Sequence, residues 1–339
     1  FMSLFSSFFF YLFVQTVSLI ITICDFFKEG VLMMKYGTLM SGLLGAVGLI
    51  AIQTASAQQH VTDEMLRTAQ EDPNNWLMVT GNYTGNRFSK LGQINTDNVR
   101  NLVPKWIFSL GTLDAQNTTP VVQDGIMYAT ASHGRTYALD ASSGTELWRY
   151  AHQLPEGVAG KMCCDIGNRG VALHGDKVFV ATPDAHVVAL NKATGEVIWD
   201  KTLGNWEDAY TMTVAPLVVK GKVIVGMSGA EYPTRLHIDA LDVDTGEQVW
   251  RTYTIPGPGE PGHDSWGNAD AAKYGGASAW ITGSYDPELD VLYWGVGNPN
   301  PDWDGTNRPG DNLYSNSTLA LNPDTGKILY YFQYTQHAL

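Results

Sequence analysis

Short runs of β-branched and aromatic residues recur along the chain, at 126–130, 178–182, 223–226 and 291–295, each opened by a Gly or Asp turn. No stretch between them carries the 3.6-residue apolar period of a helix. Each run is followed by one of four related segments: Ala138-Leu-Asp-Ala-Ser-Ser-Gly-Thr-Glu-Leu-Trp148, Ala189-Leu-Asn-Lys-Ala-Thr-Gly-Glu-Val-Ile-Trp199, Ala240-Leu-Asp-Val-Asp-Thr-Gly-Glu-Gln-Val-Trp250 and Ala320-Leu-Asn-Pro-Asp-Thr-Gly-Lys-Ile-Leu-Tyr330. Every segment reads as strand, glycine turn, and strand ending in an aromatic. A repeating unit of about four short strands without helices predicts an all-β fold, each unit being one blade of a β-propeller.

A single blade exposes both faces of a small sheet, so blades must pack around an axis to bury a core. The aromatic four residues after each repeat glycine is expected to lock neighbouring blades; filling the core and locking are the same physics here. The repeats start 51, 51 and 80 residues apart, and the wider gap holds a Pro/Gly-rich stretch, 255–276, that reads as a long functional loop. Four to five blades are legible in residues 58–339, which form one partial propeller.

Composition narrows the class. The chain is 44% hydrophobic and 16% charged, which excludes disorder. Its formal charge of −13 argues against a nucleic-acid partner, which would need a basic surface to release counterions. The start of the chain reads differently from the rest. Residues 1–27 hold eight of the twelve phenylalanines and no charge before Asp25, the look of a membrane span. From Met34, however, the sequence restarts as a secretory signal: Lys35, an apolar run over 39–52, then Ala55-Ser-Ala57 as a cleavage site. Residues 33–57 are therefore expected to be a signal peptide, and 1–32 upstream sequence translated in frame, with Lys28-Glu29-Gly30 encodable as a ribosome-binding sequence. The alternative is a genuine membrane anchor. Export places the protein in the periplasm, where disulfides persist.

Few residues stand out for chemistry. Cys163 and Cys164 are adjacent in Met-Cys-Cys-Asp-Ile-Gly-Asn-Arg169. In an oxidising compartment such a pair can close an eight-membered ring; two buried thiols is the other reading. Two loops after strands carry hard oxygen donors: Ser228-Gly229-Ala230-Glu231, and Gly295-Val-Gly-Asn298-Pro-Asn-Pro. Glu231 and Asn298 would suit Ca²⁺ or a similar cation, although lone polar residues in loops are usually solvated. Trp280 is by default core, though its face could also stack on a flat cofactor. Asp311 tempts as a general base, but Pro-Gly-Asp is turn chemistry and a structural role is favoured. The eight histidines show no metal-ligand spacing, and no dinucleotide or serine-hydrolase motif occurs.

Together, the repeats, Cys-Cys-Asp-x-x-Asn-Arg, Ser-Gly-Ala-Glu and Gly-Asn-Pro-x-Pro make the chain resemble the pyrroloquinoline quinone (PQQ) dependent alcohol dehydrogenases, the methanol and ethanol dehydrogenase group. The resemblance runs from Asn75-Trp76 to Thr335. It implies an eight-bladed propeller of nearly twice this length, of which this chain is the N-terminal half. By position it implies that Cys163 and Cys164 form the vicinal disulfide over one face of PQQ, that Trp280 stacks on the other, and that Arg169 hydrogen-bonds the quinone end. Thr213, Ser228, Gly229 and Ala230 fall where the family contacts the PQQ carboxylates. Glu231 and Asn298 match ligands of the metal, calcium or a lanthanide ion.

The resemblance has departures. Asn117 stands where the family often has a glutamate, Leu236 replaces a usual glycine, and Asp302 is an extra residue after Gly-Asn-Pro. The family's catalytic aspartate follows a segment seen here at 332–337, so the general base is expected beyond Leu339, and the chain alone is expected to be an inactive fragment.

The implied activity is oxidation of a primary alcohol to an aldehyde, with electrons passing to a periplasmic cytochrome c. A second copy or a small subunit would be compatible with it. Two other readings compete with it. A non-enzymatic propeller scaffold of the outer-membrane assembly type has no need of Cys163, Cys164, Glu231 and Asn298 together. A membrane-bound quinoprotein glucose dehydrogenase would use residues 1–27, but that group lacks the adjacent cysteines.

Overall fold

The computed structural model describes residues 59–338. The expected signal peptide and upstream segment lie outside the described residues. Within them sixteen strands form four antiparallel sheets of four, each in simple sequential order. The first holds β1 (Val121–Gln123), β2 (Ile126–Ala131), β3 (Arg135–Asp140) and β4 (Glu146–Ala151), and the second β5 (Ala172–His174), β6 (Lys177–Ala181), β7 (His186–Asn191) and β8 (Val197–Thr202). The third holds β9 (Leu217–Val219), β10 (Lys222–Gly226), β11 (His237–Asp242) and β12 (Gln248–Tyr253), and the fourth β13 (Ser284–Asp286), β14 (Val291–Val296), β15 (Ser317–Leu321) and β16 (Ile328–Gln333). These sheets are the blades the repeats predict, and they make up part of a propeller.

Each repeat builds the outer hairpin of its sheet in the same way. The Asp or Asn at its third position caps the turn: Asp140, Asn191, Asp242 and Asn322 each accept backbone N–H groups from two and three residues ahead through Oδ1. The glycines Gly144, Gly195, Gly246 and Gly326 sit at φ between 69° and 75°, where a side chain would be strained. A register shift falls at the Ala-Leu step of all four repeats, and the Ala then faces the terminal aromatic across the hairpin.

That aromatic reaches forward. A Cβ on Gly195 would lie 2.7 Å from the Trp148 ring, one on Gly246 2.8 Å from Trp199, and one on Gly326 2.5 Å from Trp250. Each indole also donates its Nε1–H to a backbone carbonyl of the next repeat: Trp148 to Lys192 at 3.0 Å, Trp199 to Val243 at 3.3 Å and Trp250 to Pro323 at 3.0 Å. Trp106, which precedes the first repeat, treats Gly144 and Ala141 in the same way. Trp148, Trp199 and Trp250 are thus each shared by two sheets, and the contact is kept across both the 51-residue and the 80-residue spacing.

Ahead of the first sheet, Val61 pairs with Gly175 and Trp76 with Val122, tying the incoming chain to the second and first sheets. A short helix, α1 (Asp63–Arg67), lies between these two bridges, capped by the Thr62 hydroxyl. The stretch 255–276, expected to be a functional loop, is a packed excursion. It holds a second helix, α2 (Ala269–Lys273), and the fully buried Trp266, whose Nε1 donates to the Leu313 carbonyl at 2.5 Å. Among the described residues no helix is long and apolar enough to cross a membrane.

Candidate active site

Segments beside the strands of all four sheets converge on a cavity of about 230 Å³, the first sheet contributing Asn117 from the approach to β1. From the approach to β5 come Cys163, Cys164, Asp165, Gly167 and Arg169; from around β9 and β10 come Thr211, Thr213, Ser228, Gly229 and Glu231; from around β13 and β14 come Ser278, Trp280 and Asn298. Nine of the ten residues proposed from the sequence therefore lie on one cavity, the count being Cys163, Cys164, Arg169, Thr213, Ser228, Gly229, Glu231, Trp280 and Asn298. Ala230 is the exception. It is 1% exposed, and its carbonyl backs onto Gly276, where a Cβ would come within 2.7 Å. Asp311 also stays away from the cavity, its carbonyl taken by the backbone N–H of His337 and the side-chain amide of Gln333.

Cys163 and Cys164 are joined sulfur to sulfur, and both are exposed on the cavity wall. Trp280, in the segment before β13, is 40% exposed, so its ring is available on the cavity wall. The Arg169 guanidinium sits 4.6 Å from the centre of the Trp280 ring and donates to the Thr213 hydroxyl at 2.5 Å. Burial pulls the Arg169 pKa below its ordinary value. The chain from Arg169 continues through Thr213 to the Ser228 hydroxyl at 3.0 Å. Two glycines make room for this arrangement: a Cβ on Gly167 would lie 2.9 Å from the Asn117 amide, and one on Gly229 3.0 Å from the Ala209 carbonyl.

The oxygen donors are set by their neighbours. The Asn298 carboxamide donates its Nδ2 to Asp302 at 2.7 Å, which leaves Oδ1 as the atom able to act as a ligand. Burial raises the Asp302 pKa, against the opposing pull of that hydrogen bond. The extra residue noted in the sequence thus orients the candidate ligand. Glu231 is exposed, and its carboxylate lies within 4.8 Å of the two sulfurs. Disulfide sulfurs are not thiolates, so that trio does not form a metal site by itself. Asp165 is committed elsewhere, accepting the backbone N–H groups of Ala115 and Ile166.

Sequence reasoning missed Met162, Asp165, Gly167, Thr211 and Ser278 as lining residues. Thr211 Oγ1 is buried without a hydrogen-bond partner among the described residues. Leaving such a hydroxyl unpaired costs about 1–3 kcal/mol, so its place on a cavity wall marks a position that a polar ligand would satisfy.

The family model for PQQ glucose/ethanol/alcohol dehydrogenase, beta-propeller domain, matches residues 76–339. The chain belongs to this family of PQQ β-propellers. It is 41% identical over 289 residues to quinoprotein alcohol dehydrogenase PedH of Pseudomonas putida, covering 79% of this chain and 48% of that one. To the quinohemoprotein alcohol dehydrogenase of Comamonas testosteroni it is 39% identical over 300 residues, covering 84% and 42%. Among solved structures, quinohemoprotein alcohol dehydrogenase ADHIIG from Pseudomonas putida HK5 matches with a TM-score of 0.80 at 37% identity, over 84% of this chain and 43% of that one. A europium-containing methanol dehydrogenase matches with a TM-score of 0.77 at 34% identity, over 81% and 51%. The chain spans about half the length of the curated relatives it matches.

Proposed function

We propose that the whole protein is a periplasmic quinoprotein alcohol dehydrogenase and that this cavity holds its PQQ together with Ca²⁺ or a lanthanide ion. One observation carries the reading: two flat apolar surfaces, the Cys163–Cys164 ring and Trp280, border the same cavity as the donor chain Arg169-Thr213-Ser228 and the oxygen donors Glu231 and Asn298. A planar, anionic quinone needs that set. Its ring plane needs apolar walls, its carboxylates need hydroxyl donors, its quinone oxygens need a guanidinium, and a hard cation beside it needs oxygen ligands. The unpartnered Thr211 hydroxyl fits the same occupant.

In this reading the disulfide and Trp280 fix the ring plane and exclude water, while Arg169 donates to an acceptor oxygen at the edge of the ring. Glu231 and the Asn298 Oδ1 hold the cation, and Asp302 keeps the amide turned the right way. When bound, PQQ supplies the acceptor for the two electrons lost by the alcohol, and the cation supplies the Lewis acid that makes it electrophilic. Alcohol becomes aldehyde with loss of two electrons and two protons, and the electrons leave singly to a periplasmic cytochrome c. No described residue is assigned as the base that takes the hydroxyl proton.

The test is titration of the apoprotein with PQQ in the presence of Ca²⁺ or La³⁺, followed by tryptophan fluorescence and PQQ absorbance. Saturable binding is expected, weakened about tenfold or more in Trp280→Ala and Glu231→Gln, each change removing about 1.4 kcal/mol or more. Binding that is equal in the wild type and both variants would refute the assignment of this cavity.

A further inference from the structure

A second group of ligating side chains lies outside the cavity, between the first and second sheets. His152 follows β4, while Asp184 and His186 flank the hairpin between β6 and β7. His152 is anchored by its backbone N–H to the Gly134 carbonyl at 3.0 Å, and a Cβ on Gly134 would meet its own Cβ at 2.9 Å. That close approach lets the imidazole cross to the neighbouring sheet. Its Nε2 reaches Asp184 Oδ2 at 3.0 Å, and the Nε2 of His186 lies 3.9 Å from the same oxygen. The three inward atoms are thus gathered on one point from two sheets.

The outward atoms are all held. His152 Nδ1 meets the Tyr150 hydroxyl at 2.9 Å, His186 Nδ1 meets Asp200 Oδ1 at 2.7 Å, and Asp184 Oδ1 accepts the Thr182 hydroxyl at 2.6 Å. A metal-ligating histidine characteristically has its second nitrogen held by a carboxylate or other acceptor, as Asp200 does for His186. Zinc bonds of about 2.0–2.2 Å in a tetrahedron put ligand atoms about 3.3–3.5 Å apart, between the two separations found here. The side chains of His152 and Asp184 are 8% and 4% exposed and that of His186 27%, so the group is sheltered yet open at one edge.

We propose that His152 Nε2, Asp184 Oδ2 and His186 Nε2 bind a divalent cation of the zinc class, which clasps the first sheet to the second. Thr202 Oγ1 hydrogen-bonds His186 Nε2 at 3.1 Å, a bond the cation would replace, and a water would complete the coordination. His152 Nε2 pairs with Asp184 Oδ2 and His186 Nε2 with the Thr202 hydroxyl, so a cation would exchange two hydrogen bonds for three coordinate bonds from atoms already within 4.8 Å of one another. The site shares no residue with the candidate PQQ cavity, and its ligand chemistry differs: imidazole suits zinc or cobalt, whereas the all-oxygen pair Glu231 and Asn298 suits harder ions.

The test uses the full chain, stripped with a chelator and dialysed into Ca²⁺ buffer, then titrated with Co²⁺ and Zn²⁺. One equivalent of Co²⁺ should raise a visible absorption band, Zn²⁺ should abolish it, and Zn²⁺ should raise the melting temperature. Asp184→Asn and His186→Gln should each weaken Zn²⁺ binding more than tenfold, Asp200→Asn about 10–100-fold, and Glu231→Gln not at all. His186→Gln lies at the exposed edge and serves if Asp184→Asn fails to fold. Absence of the Co²⁺ band, equal affinity in His186→Gln, or binding that follows Glu231 would each overturn the proposal.

Discussion

Replacing Gly195 by Ala isolates what the shared tryptophans do. The backbone there has φ 75°, and an added methyl would stand 2.7 Å from the Trp148 ring, where carbon atoms prefer about 3.5–4.0 Å. The left-handed backbone alone costs an alanine about 1–2 kcal/mol. Forcing the ring aside adds about 1–3 kcal/mol, and displacing its Nε1–H from the Lys192 carbonyl about 1 kcal/mol more. Gly221 is the control, since it has φ 67° and open space where its Cβ would be, so Gly221→Ala should show the backbone cost alone. Urea unfolding followed by circular dichroism should give Gly195→Ala a loss at least about 2 kcal/mol larger than Gly221→Ala. In a Trp148→Ala background, where the clash is gone, the two losses should converge, and this cycle isolates the contact from the backbone effect. Equal losses for the two glycine variants in the wild-type background would refute the lock.

Other expectations follow from the same geometry. Thr211→Val should leave the cofactor-free protein as stable or slightly more so, because it removes a buried hydroxyl without a partner, yet weaken PQQ binding about tenfold; thermal melts and the fluorescence titration read the two effects separately. Asp302→Ala frees the Asn298 amide to rotate and should weaken Ca²⁺ or La³⁺ binding about tenfold without changing the melting temperature by more than a few degrees, as measured by calorimetry. Lys192 is buried and its pKa is lowered to about 8, burial being the main cause. The unfolded chain therefore holds this proton up to a higher pH than the folded one, and stability should rise between about pH 8 and 10.5 by up to about 3 kcal/mol. Lys192→Gln should flatten that rise relative to the wild type in urea melts; an identical pH profile would contradict the lowered pKa.

Much of this architecture was legible because it repeats. Asp or Asn, then Gly, then an aromatic at fixed offsets specify a capped turn and a forward contact, and four copies of one local rule leave little room for another fold. The cavity residues were legible because they sit in unusual strings, such as Cys163-Cys164 and Ser228-Gly229-Ala230-Glu231. Thr211 and Ser278 carry no such mark, since a hydroxyl beside a strand is commonplace and only the closing of the sheets aims it at the cavity. In the stretch 255–276, Pro and Gly signal irregular backbone without saying whether it packs; Trp266 makes it pack. Histidine spacing along the chain gives no sign of the group at His152, Asp184 and His186. Asp184 and His186 are two apart, but His152 joins them from another sheet, a meeting that no local period along the chain can signal.

Because glycine socket and aromatic plug both lie within the same eleven-residue repeat, the contact between sheets is self-compatible. Any copy of the repeat can follow any other and find its socket waiting. A gene segment duplicated in tandem would thus be born with a working interface, and a ring could grow by whole sheets without inventing new contacts. The segments between repeats, which supply the cavity residues, are released from that duty, and their sequences are free to diverge toward chemistry while the scaffold stays the same.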